Sequence, residues 1–159
     1  MNESVTRVIE LVSKAFGSAA GPTTFRYPES GWWYEWEGKG IAKVLLDLDP
    51  RDLEYDEILS PIDGSFVPAW TTGEGLMRLT PGIVRICFEV DPNSADALLH
   101  RLFTELYDRI RKGELTLSAL QGRSLLQMHE VFYGTEDFGW NPDKHAHPLC
   151  ELLRQPKPD

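Results

Sequence analysis

Six carboxylates fall within eleven residues, at Asp47, Asp49, Asp52, Glu54, Asp56 and Glu57, opposed inside that span only by Arg51. Such crowding raises the electrostatic self-energy and is relieved by solvent, a metal ion or a cationic partner. An EF-hand fails on spacing. With Asp47 as first ligand, Arg51 takes the fifth position, Asp52 the sixth where glycine is needed, and Ile58 the twelfth. Upstream, GWWYEWEG packs Trp32, Trp33, Tyr34 and Trp36 around Glu35 and Glu37. On a strand Trp32, Tyr34 and Trp36 would share one face, and Trp33, Glu35 and Glu37 the other. Only one face can pack on a core, so at least one indole is expected near the surface, where Trp is enriched in binding hot spots. The expected partner-binding set is therefore Trp33, Glu35, Trp36, Glu37, Asp47, Asp49, Asp52, Glu54, Asp56 and Glu57, suited to a basic, partly apolar protein partner.

A second cluster, His145-Ala146-His147 with Cys150, offers three borderline-soft ligands in six residues, with His129, Glu130 and Asp137 upstream. Zinc uses such groups, but a structural site pairs two knuckles, and no second knuckle exists here. The default is a surface loop. Cys87 lies in an apolar run and is expected to be a buried, inert thiol. Walker-type loops, G-x-G-x-x-G, G-x-S-x-G and H-E-x-x-H are absent, and TTGEGL places an acid between Gly73 and Gly75, which makes a poor phosphate cradle. No catalytic residue and no cofactor is assigned.

The stretch VLLDLDPRD puts Asp47 and Asp49 on one side of a strand end, as divalent-metal phosphoryl-transfer sites do. In its Asp-x-Asp-Pro core it is similar to the metal motif of primase-polymerase domains. In the apolar run before the pair it is similar to haloacid-dehalogenase-type phosphatases, which would want Thr or Val where Arg51 stands. The resemblance implies a metal-dependent enzyme with Asp47 and Asp49 as ligands, and a solvated strand end is the preferred reading.

The elements that must position these groups are read from periodicity. Val5, Val8, Ile9, Val12 and Phe16 predict a helix over residues 4 to 17, stopped by Gly17. Strands are expected at Phe25 to Tyr27, Trp32 to Glu37, Ile41 to Asp49, Phe66 to Trp70 and Leu76 to Leu79. In 83 to 90 Val84, Ile86, Phe88 and Val90 alternate with Ile83, Arg85, Cys87 and Glu89, another strand. Pro50 to Glu57 reads as a loop or short helix. A long helix follows Pro92, with Asn93 or Ser94 as N-cap and Leu98, Leu99, Leu102, Phe103, Leu106 and Ile110 on its stripe, ending at Gly113. A further helix is expected over Thr116 to His129, interrupted by Gly122, and a short one over Pro148 to Arg154. This order predicts a single α+β domain over residues 1 to 154, a largely antiparallel sheet of about five or six strands with helices on one face, and a frayed tail at 155 to 159.

Composition sets the outer limits. The 159 residues include 25 Asp and Glu against 16 Lys and Arg, a formal charge of -9 and a pI near 4.9. That field repels phosphate backbones and anionic lipid and attracts basic proteins, so no nucleic-acid or membrane partner is expected. Two cysteines and an N-terminus without a signal-peptide pattern predict a cytoplasmic protein with reduced thiols. The expected function is a small acidic binding module docking on a basic protein, similar in general character to bacterial immunity proteins that inhibit a toxin. The alternatives are a metal-dependent enzyme using Asp47/Asp49 or His145/His147/Cys150, and a chaperone-like or adaptor module that binds peptides.

Overall fold

The computed structural model of the chain describes residues 2–17, 49–58, 66–134 and 146–155. Their elements are α1 (Glu3–Phe16), a 3-10 turn at Pro50–Asp52, α2 (Tyr55–Ile58), a second 3-10 turn at Val67–Trp70, α3 (Gly73–Cys87), α4 (Pro92–Arg111), α5 (Ala119–Tyr133) and α6 (Pro148–Arg154). Among the described residues there is no strand and no sheet, only isolated bridge positions at Phe66 and Thr71. The α+β architecture is overturned, and the described fold is helical. The strands expected at 25–27, 32–37 and 41–48 lie outside the described residues. The one at Phe66 to Trp70 is a 3-10 turn, Val67–Trp70, with Pro68 in its first positions, and those at 76–79 and 83–90 belong to α3 and the turn after it.

The α3 segment is helical because its burial follows a helical stripe, in spite of its composition. Leu76, Leu79, Thr80, Ile83, Val84, Ile86 and Cys87 are all buried, the three- and four-residue spacing of one broad helix face. Thr72 caps the N-terminus, its hydroxyl accepting the N–H of Gly75 at 3.2 Å. Pro81 removes a backbone donor in mid-helix at about 3 kcal/mol, a deficit that burial of this many aliphatic side chains, each contributing about 1.5–3 kcal/mol, exceeds. Gly82 is required by close approach: a Cβ there would stand 2.9 Å from the Pro50 carbonyl oxygen and 3.1 Å from the Leu53 Cβ.

The remaining helices carry their own terminal signals. Asn2 caps α1, and Gly17 ends it at φ +80°. The cap of α4 is Asp91, one residue before Pro92, in place of the expected Asn93 or Ser94; its carboxylate accepts the Ser94 N–H, and this bonding holds its carboxyl below the usual carboxylate range. Ser118 and Gln121 form a reciprocal capping box on α5. In the packing, α3 lies against α1 and α4, α1 also lies along α5, and the short α6 touches α4 and α5. One continuous cluster of buried apolar side chains joins these helices.

A buried cation ties the center together. Arg109, near the end of α4, is 1% exposed. Its guanidinium donates to the Thr71 carbonyl at 2.6 Å, the Ala69 carbonyl at 2.9 Å and the Glu105 carboxylate at 2.9 Å, with Glu114 at 3.7 Å. The sequence marks it only as a last-turn cation facing the helix dipole; its second use, holding the chain just before α3, comes from tertiary packing.

Candidate functional site

The acidic segment is docked as a unit. Leu53 and Ile58, 1% and 0% exposed, sink into the core, and Pro50 is buried against α3. Backbone bonds close the turn from the Asp52 N–H to the Asp49 carbonyl at 3.1 Å. The Glu57 carboxylate accepts the Glu54 N–H at 2.8 Å, which fixes the start of α2. Arg85, on α3, donates to the Leu53 carbonyl at 2.5 Å and pairs with Glu89 in the turn that follows the helix. With the apolar residues pinned inward, Asp52, Glu54 and Asp56 are exposed, and none of the three forms an ion pair with a described residue. Asp49 and Glu57 are half-buried in the same turn. Five members of the expected binding set are thus brought together, whereas Trp33, Glu35, Trp36, Glu37 and Asp47 lie outside the described residues.

A second constellation is one the sequence only hinted at. Three of the four histidines, His100, His129 and His147, line one pocket of about 320 Å³ together with Asp96, Phe103 and Tyr133. α4 and α5 supply the first two histidines, and His147 caps α6. The His129 ring stacks on Phe103 at 5.7 Å and tilts against Tyr133 at 4.8 Å, while His147 meets His100 edge-on at 5.3 Å. The Tyr133 hydroxyl donates to Asp96 at 2.5 Å; burial first, and then this bond, raise the phenol well above its usual range, so it serves as a donor and not as a phenolate.

The tautomer of His147 follows from its bonds. Nδ1 accepts the Leu149 N–H at 3.0 Å, so in the neutral ring Nε2 carries the proton and donates to the Thr104 hydroxyl at 3.1 Å. Burial, with His100 and His129 nearby, pushes its pKa down to about 4 against the opposing pull of Asp108. Protonation would also place a hydrogen on the nitrogen that caps α6. Both ring nitrogens are therefore engaged, and a metal at the expected His145/His147/Cys150 cluster would have to displace one of these bonds. Cys150 is itself buried with its thiol raised by burial, and His145 lies outside the described residues. Among the described residues no group of three His, Cys, Asp or Glu side chains is placed to hold a metal ion. Cys87 is 2% exposed in α3, and burial pushes its thiol far above the usual range.

His100 and the Tyr133–Asp96 pair were missed because their partners are distant along the chain: His147 packs on His100 from another helix, and Tyr133 and Asp96 are 37 residues apart. The available signal was His129 falling on the buried stripe of α5. No family model, no curated protein and no solved structure matches this chain. No helix among the described residues is long and apolar enough to cross a membrane.

Proposed function

We propose that this chain is a non-enzymatic binding module that docks on a basic protein partner through its acidic segment, in the manner of an inhibitor that meets a cationic site with carboxylates. The observation carrying this reading is the anchored turn: buried Leu53 and Ile58 fix a frame from which Asp52, Glu54 and Asp56 project without ion-pair partners among the described residues. A frame already ordered before binding avoids much of the entropy that ordering a flexible acidic loop would cost. The formal charge of -9 adds long-range attraction, which acts mainly on the association rate.

The test is affinity capture from an extract of the source cell at low and high salt, with the native chain and with D52N/E54Q/D56N. The expected result is a captured basic protein whose retention falls with salt and whose association rate drops about tenfold in the triple variant, consistent with three solvent-rim charges each contributing under about 1 kcal/mol. Capture of neutral or acidic proteins only, or a triple variant that binds like the native chain, overturns the proposal.

A further inference from the structure

The connection from α4 to α5 and the short α6 enclose a groove of about 450 Å³ that involves none of the acidic segment. Its walls are aliphatic: Leu115 and Leu117 are buried beneath it, and Ile110, Leu152 and Leu153 are half-buried along it. The face that α5 turns to it carries Ala119, Gly122 and Arg123, three- and four-residue spacing that aligns them along one side. Gly122 leaves that side without a side chain; a Cβ there would meet only the Leu153 Cδ2, at 3.3 Å.

Charge selects the occupant. Among the described residues Arg123 is the only charged side chain lining the groove; it is exposed and forms no ion pair with a described residue. A guanidinium without an ion pair among the described residues, beside an aliphatic groove with no described carboxylate in its lining, is out of keeping with a chain of charge -9. The α5 N-terminus opens at the same place. Its capping box uses the N–H groups of Ser118 and Gln121 and leaves those of Ala119 and Leu120 for an external acceptor. An occupant with an aliphatic body and one anionic end matches all of this, and the volume falls in the range of small-molecule pockets.

We propose that this groove binds a medium-chain alkyl carboxylate, its chain along Leu115, Leu117, Leu152 and Leu153 and its carboxylate at Arg123 and the start of α5. Hexanoate, octanoate and decanoate, each below its micelle concentration, are titrated into the full chain by calorimetry and by amide NMR, with decanol and decylammonium as uncharged and cationic counterparts. Affinity is expected to rise about three- to fourfold per methylene and decanoate to exceed both counterparts, with amide shifts centered on 115–123 and 152–153. Arg123→Gln should remove most of the preference for decanoate over decanol while leaving decanol binding unchanged. Gly122→Leu, checked for native helicity, should abolish binding of both by filling the groove.

Several results overturn the proposal: no saturable binding of any probe, equal affinity for decanoate and decylammonium, an Arg123→Gln variant with the native preference, or shifts that map elsewhere. Dimerization through Leu152 and Leu153 that decanoate does not reverse overturns it in favor of a second copy of this chain as occupant.

Discussion

The His147 side chain makes a pH dependence that can be worked from its surroundings. The ring is 8% exposed and faces His100, Phe103, Thr104, Tyr107 and Asp108 on α4 and His129 on α5, with Leu149 on its own helix. Its pKa drops from 6.5 when unperturbed to about 4 in the folded chain. Above both values the imidazole is neutral whether folded or not and contributes no slope. As pH falls through 6.5 the unfolded chain takes up a proton that the folded chain refuses, so stability is lost, and the loss levels off only once the folded ring protonates near 4. Between about pH 7.5 and about pH 5 this one group should remove about 2 kcal/mol of folding free energy.

The comparison that isolates it is His147→Asn, whose side-chain oxygen can still accept the Leu149 N–H as an N-cap but does not titrate. Urea unfolding of both proteins across this range should show the native chain losing stability more steeply, by a difference equivalent to about one proton taken up on unfolding. Identical slopes, or an NMR titration of the His147 ring near its unperturbed value, would refute the reasoning.

Other side chains give equally specific expectations. Arg109→Met should lower stability by about 3–5 kcal/mol in urea unfolding, since the Thr71 and Ala69 carbonyls and Glu105 all lose their donor, and Arg109→Lys should recover little because an ammonium lacks the planar fork that serves three acceptors. Gly82→Ala should destabilize by about 1–3 kcal/mol although alanine is the better helix former, because the new methyl collides with Pro50 and Leu53 where the acidic turn seats on α3. Cys87 and Cys150 should resist alkylation by iodoacetamide in the native protein and react at once in denaturant, both thiols being buried with raised pKa.

The legible elements were those in which local signals and burial agree. The helix expected over residues 4 to 17 is Glu3–Phe16, and the short one over Pro148 to Arg154 has those bounds. The stripe from Leu98 to Leu106 lines the buried side of α4, and α5 forms straight through Gly122 because that glycine is buried against Leu153. α3 was illegible for a physical reason. Its buried residues from Leu76 to Cys87 keep helical spacing, but Pro81 and Gly82 interrupt the run, and the chance alternation in 83–90 reads as a strand. Gly73, Gly75, Pro81 and Gly82 lower its helix propensity, yet three of them are buried glycines whose missing side chains let neighboring backbone or side chains come close. For the site, the acids at 49–57 announce themselves by density, whereas their fixed display depends on Leu53 and Ile58, which look like ordinary aliphatics in sequence. The histidine pocket gathers residues from three helices, a convergence that no local spacing encodes.

The reach of Arg109 also bears on the order in which the chain can mature. The carbonyls of Ala69 and Thr71 sit at the threshold of α3, and the guanidinium that satisfies them is made 40 and 38 residues later. During synthesis, therefore, the whole of α3 and nearly all of α4 must leave the ribosome before the turn at Val67–Trp70 can lock. Until then the threshold has no permanent donor, and afterward the two helices and that turn should open and close as one cooperative block in hydrogen exchange.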